Sequence, residues 1–126
     1  MKDEVPPNRH ELGKMFEDIA LEYLLGRGYR LLRRNFRLGR LGEIDLIMRD
    51  RHVYVFVEVK GRRTHGYGLP EEALTPAKRR RIRKIAGGYI HITKLTNYEA
   101  RFDVVAIDFA TGNEDGPEIR HYADAF

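Results

Sequence analysis

No cysteine occurs among the 126 residues, which excludes a disulfide framework and any zinc site built on thiolates and suits a cytoplasmic protein. No long apolar run is present either. The opening MKDEVPPNRH is polar and proline-bearing with no hydrophobic stretch behind its charges, so residues 1–10 read as a flexible tail and not as a signal peptide or membrane anchor. Other absences narrow the chemistry. The chain has no phosphate-binding P-loop, no dinucleotide fingerprint and no Gly-x-Ser-x-Gly elbow. Its five histidines are scattered without metal-ligand spacing, which makes surface or satisfied core positions the better reading for each. There is no internal repeat, and the length leaves room for one domain, residues 11–126.

What is present is an ordinary soluble composition, 42% apolar and 33% charged. Leu12, Phe16, Ile19, Ala20, Tyr23 and Leu24 recur at helical spacing, and Gly26 and Gly28 close that helix. Tyr29 to Arg37 reads as a first strand, followed by the turn-rich LGRLG and two stronger runs, EIDLIM and VYVFVEVK, which form an antiparallel hairpin about Asp50–Arg51. GRRTHGYGLPEE is a loop. Thr75 caps a second helix with Pro76 in its first position, and Ile82, Ile85, Ala86, Tyr89 and Ile90 give its apolar stripe. Gly87 and Gly88 fall inside that stripe, where they bend the helix, end it or permit close packing. FDVVAIDF is nearly continuous in apolar character, as a strand buried on both faces beside a parallel neighbour should be. The order αβββαβ is that of an α/β fold, a mixed sheet flanked by helices.

The formal charge is only +4, but the cations cluster at Arg33, Arg34, Arg37, Arg40, Arg62 and Arg63 and in the run from Lys78 to Lys84. Local field matters more than net charge for phosphate attraction. A charge run on a helix is usually a solvated face, so the run alone gives only about even odds of nucleic-acid binding.

Alternation along VYVFVEVK puts Glu58 and Lys60 on one face of their strand. With Asp50–Arg51 as the turn, paired positions add up to 101, which sets Asp45 opposite Phe56, diagonal to Glu58 and on the same face. A three-residue loop would reverse that parity. Two carboxylates beside an ammonium suit phosphodiester hydrolysis: hard oxygen ligands hold Mg²⁺ or Mn²⁺, the Val59 carbonyl is a further ligand, and Lys60 orients or deprotonates the attacking water. Glu17 is a fourth candidate, on the helical row of Gly13 and Ala20, whose small side chains let the helix approach the sheet. Glu-x-Lys alone is a weak signal, about one chance in twenty of being catalytic. Its bland alternative is a cross-strand surface ion pair.

GKMFEDIA, NFRLGRLGEIDLI, FVEVKGR, GLPEEALTPAKRRRI, RFDVVAI and IRHYADAF together resemble the YraN-like family of uncharacterised bacterial proteins. That family is similar in turn to the PD-(D/E)xK superfamily of restriction enzymes and to archaeal Holliday junction resolvases. The resemblance implies a restriction-endonuclease-like core with Glu17, Asp45, Glu58 and Lys60 at the motif positions, and Glu43 and Lys78 near the substrate path. In the 101 register Glu43 pairs with Glu58, an uncomfortable neighbour unless a cation lies between, which favours Glu43 as a metal ligand.

The leading expectation is a Mg²⁺- or Mn²⁺-dependent endonuclease acting on DNA, structured or branched, with Arg37, Arg62, Arg63, Lys78, Arg79 and Arg81 as nucleic-acid contacts. A second class keeps the fold without the chemistry: a DNA-binding or adaptor protein of recombination or repair. The intact acidic set argues against it, since carboxylates facing phosphate do nothing for a binder. A third is a structural protein with a merely charged sheet face. Cleaving both strands of a junction calls for two sites, hence a homodimer. Tyr122 and Phe126 serve either its interface or the chain's own core.

Overall fold

The computed structural model describes residues 7–66 and 68–126, so most of the expected tail lies outside the described residues. The expected helix begins sooner than its apolar pattern, as α1, Arg9–Gly26, and takes Arg9 and His10 into its first turn. Asn8 sets that start: its side-chain oxygen accepts the Glu11 N–H at 2.8 Å, satisfying one of the free donors of the first turn. At the other end Gly28, at φ +93°, occupies the left-handed region that lets the chain turn back.

Strands β1 (Arg30–Leu38), β2 (Gly42–Asp50) and β3 (Val53–Arg62) form an antiparallel meander. A 3₁₀ turn, Pro70–Ala73, and helix α2, Pro76–Thr93, then lead to β4, Glu99–Asn113, which pairs parallel to β3. A further strand the sequence pattern did not announce, β5 (Gly116–Tyr122), returns antiparallel along β4. The five strands lie in the order β1-β2-β3-β4-β5. This mixed sheet with one helix on each face is a restriction-endonuclease-like core, extended by β5. No helix of the described residues is long and apolar enough to cross a membrane.

The sheet separates two cores. Phe16, Ala20 and Leu24 of α1 pack with Leu46, Met48, Val55, Val57, Val105 and Ile107. Ile82, Ile85, Ala86 and Tyr89 of α2 pack on the other face with Phe36, Ile44, Ile47, Phe56 and Val104. Thr75 caps α2 as its sequence requires, accepting the Lys78 N–H at 3.3 Å, with Pro76 in the first position. The helix runs through Gly87–Gly88 without a break. A Cβ on Gly88 would overlap the Leu38 side chain, whereas one on Gly87 meets nothing, so close packing is the reason for the second glycine alone. The C-terminal residue docks onto its own chain: the Phe126 ring stacks on Phe102 at 5.0 Å.

Candidate active site

The β2–β3 hairpin turns at Arg51–His52, with Arg51 at φ +57°, and Asp50 pairs with Val53. Paired positions therefore add up to 103 and not 101. Both sums are odd, so parity within the ladder is unchanged, but each partner moves by two residues. The ladder proceeds to Leu46 with Val57 and stops. Where it stops, an Asp45 carboxylate oxygen takes the place of a strand carbonyl and accepts the Val59 N–H at 2.8 Å. Asp45 thus stands beside Glu58, not diagonal to it. The pairing expected for Glu43 with Glu58 does not form, and Glu43 instead pairs with Arg37 of β1. An extended residue projects N–H and C=O to the same edge of its strand, so the Val59 carbonyl also faces the gap between β2 and β3.

The electrostatics of this gap are unusual for a sheet. Burial pushes the Asp45 carboxyl well above the usual carboxylate range, the neighbouring Glu58 charge adds to the rise, and the Val59 N–H opposes it. Burial also raises Glu58, against the pull of Lys60. The Lys60 ammonium lies 3.6 Å from Glu58 Oε2. The other oxygen, Oε1, has no donor among the described residues while both carboxyls are ionised; a protonated Asp45 would supply one, and this hydrogen bond between the two carboxyls raises Asp45 and lowers Glu58. A hard divalent cation would satisfy that oxygen and screen the two carboxylates from each other. Among the described residues no three His, Cys, Asp or Glu side chains cluster closely enough to hold a metal by themselves. The oxygen donors gathered at the gap are Asp45, Glu58 and the Val59 carbonyl.

Glu17 approaches from α1. Its carboxyl accepts a 3.0 Å bond from the Asn35 amide and sits 3.6 Å from the Arg34 guanidinium. Burial raises its pKa, the Asn35 bond lowers it, and the charges of Asp45 and Glu43 raise it further. The helix gains its close approach from Gly61, where a Cβ would overlap the Phe16 ring; Gly13, by contrast, faces open space. Glu17, Asn35 and Glu43 border a cavity of ≈ 500 Å³ with Arg9, His10 and Lys14. A second cavity, ≈ 400 Å³, opens beside Lys60 under the segment from Gly61 to Ala73.

The expected nucleic-acid contacts divide. Arg37, Arg63 and Arg81 are exposed, and the Arg81 charge reaches Glu58 from α2. Lys78 is half-buried near the start of α2. Arg62 is held internally, 2.7 Å from Asp108 and 2.8 Å from the Gly68 carbonyl. Arg79 donates to the Leu74 carbonyl and lies over the Phe126 ring. The pattern reading did not single out Asn35 or the partners of Arg62. An asparagine inside a basic strand was the one visible signal for the former.

The five-stranded mixed sheet with one helix on each face gives the chain an α/β fold consistent with a restriction-endonuclease-like core. Comparison with known proteins agrees with the resemblance seen in the sequence. A family model described as "Uncharacterised protein family UPF0102" matches residues 16–107, and the chain belongs to that family. A UPF0102 protein of Syntrophus aciditrophicus is 47% identical over 114 residues, covering 90% of this chain and 87% of its own length. One of Geobacter sulfurreducens is 46% identical, covering 91% and 88%, and one of Geotalea uraniireducens 44% identical, covering 100% and 97%.

Proposed function

We propose that the protein is a Mg²⁺- or Mn²⁺-dependent endonuclease that hydrolyses phosphodiester bonds in DNA. The observation that carries this reading is the gap between β2 and β3, where two adjacent half-buried carboxyls face an ammonium group. In this reading Asp45, Glu58 and the Val59 carbonyl hold the cation, which supplies Lewis acidity and an activated water when bound. Lys60 orients the attacking water and balances charge developing on the phosphate oxygens. Val59 N–H fixes the Asp45 carboxylate so that its second oxygen is free to act as ligand. Arg81, Arg37, Arg63 and Lys78 supply the positive field that draws the phosphate backbone to the site.

Branched or otherwise structured DNA is the substrate to try first, with one cavity opening beside Lys60 and another beside Glu17 and Glu43. Cleaving both strands of a junction would engage a homodimer. Purified protein is assayed on duplex, single-stranded and four-way-junction DNA with Mg²⁺ or Mn²⁺. Asp45→Ala and Glu58→Ala are each expected to lower cleavage by roughly 100-fold or more, with salt-sensitive DNA binding retained. Cleavage that persists in both variants would sink the assignment. Salt-sensitive DNA binding by a wild-type protein that takes up no Mn²⁺ would point instead to a non-catalytic DNA-binding protein on the same fold.

A further inference from the structure

Asn35 lies within an edge strand yet has φ +52°. That is a left-handed conformation that non-glycine residues adopt rarely, asparagine more readily than most. The irregularity has a partner. The β1–β2 ladder passes from Arg34 with Leu46 to Phe36 with Ile44, and leaves Asn35 and Asp45 unpaired between them. Both strands change face there. Arg34 reaches α1, with its guanidinium 2.6 Å from Asp18, while Phe36, two residues on, packs against Tyr89 of α2. Leu46 belongs to the α1 core and Ile44 to the α2 core. The distortion takes Asp45 out of the ladder at the position where its carboxylate meets Val59 N–H. At the same residue the Asn35 side chain crosses to α1 and donates to Glu17 Oε1 at 3.0 Å.

We propose that Asn35 is a positioning residue, whose amide holds the Glu17 carboxylate on the cavity wall it shares with Glu43, next but one to Asp45 along β2, and keeps it from turning wholly onto Arg34. Without the amide, the remaining near partner of Glu17 is the Arg34 guanidinium, which already neutralises Asp18 on the exposed side of the helix. Asn35 thereby decides whether Glu17 is directed to the cation's water shell or to an arginine. The inference rests on the metal reading of the site but is separable from it, because the position of Glu17 is measurable without metal.

The test compares metal-free crystal structures and calorimetric Mn²⁺ titrations of the wild type, Asn35→Gly, Glu17→Gln and the double variant. Glycine keeps the positive φ and removes only the amide. Asn35→Asp, of the same size but without the donor, is the second variant should the first not fold. In Asn35→Gly the Glu17 carboxylate is expected to move by more than about 1 Å toward Arg34, a displacement of the size that impairs catalysis. Mn²⁺ affinity should fall about 10–100-fold, as when an outer-shell partner is lost. Glu17→Gln should show the same loss, and the double variant no more than either. An unmoved Glu17, an unchanged affinity in a protein that binds Mn²⁺, or losses that simply add would each overturn the proposal. A displaced Glu17 in a protein whose wild type binds no Mn²⁺ would uphold the positioning role and overturn the metal reading.

Discussion

Two groups of acids, one fully buried and one half-buried, occupy one sheet and are treated oppositely. Asp103 and Asp108 of β4 are fully buried and richly partnered. Asp108 takes Arg62 at 2.7 Å and Arg120 at 2.8 Å, and Arg120 also binds Glu71 at 2.7 Å. Asp103 takes His121 at 2.8 Å and Arg101 at 3.0 Å. Burial alone would raise Asp103, yet the His121 and Arg101 bonds outweigh it and leave its pKa lowered; Asp108 is held far below the carboxylate range by Arg62 and then Arg120. At the splayed end of β2 and β3 the balance reverses, with Asp45 and Glu58 raised. Acids that brace the fold are saturated by guanidinium and imidazole groups, whereas those at the hairpin gap have, among the described residues, Lys60 alone within ion-pair distance. Only Gly61 separates Lys60, at the gap, from Arg62, in the braced network.

The largest test of this contrast is Asp108→Ala. It strands Arg62 and Arg120 without their shared acid and should lower unfolding free energy by about 3–5 kcal/mol in urea denaturation; a loss below about 1 kcal/mol would mean the network does not brace the fold. Gly61→Ala strikes the boundary between the two regions. Its Cβ overlaps the Phe16 ring, so a destabilisation of about 1–3 kcal/mol should accompany a fall in Mn²⁺ affinity as α1 is forced away from the gap. Glu58→Gln should act in the opposite sense, stabilising by about 0.5–2 kcal/mol while abolishing cleavage, as expected where a site retains strain for function. If Glu58→Gln destabilises the metal-free protein, the carboxyl pair is structural and the contrast fails.

Acidification separates the two groups with a single measurement. Asp45, Glu58 and Glu17 have raised folded values, so their contribution to stability is complete below the unfolded values of 3.8 and 4.5 and is lost as pH rises through the folded ones. Glu71 is lowered from 4.5 to about 2 by its Arg120 bond. Its contribution is present above pH 4.5 and disappears as pH falls toward 2. Urea midpoints of the metal-free protein should therefore rise as pH falls from neutrality toward 4.5 and collapse below it. Glu58→Gln should show a smaller rise with the same collapse.

Much of this was legible in the residues. Alternation along β3 put Glu58 and Lys60 on one face whatever the register, whereas Asp45 is brought beside them by its bond to Val59 N–H, which no pattern announces. The register itself was misread because Asp50–Arg51 looked like the turn, whereas the left-handed residue is Arg51 and Asp50 still pairs. The continuous apolar run of β4 correctly announced a parallel neighbour, but β5 escaped notice because GPEIRHY lacks alternation and carries a proline. Its role follows from Arg120 and His121, whose partners on β4 and in the 3₁₀ turn are distant in sequence. The face change at Asn35 was equally hidden, being a property of two strands together.

The parallel pairing of β3 with β4 also has a kinetic consequence. Asp45 and Glu58 meet within a hairpin, a local structure that closes on the microsecond scale. The register from Val53 with Glu99 to Arg62 with Asp108 must wait for the intervening loop and α2 to be gathered in. Contact order thus predicts that the hairpin holding Asp45 and Glu58 closes before the arginine clamps that secure the sheet.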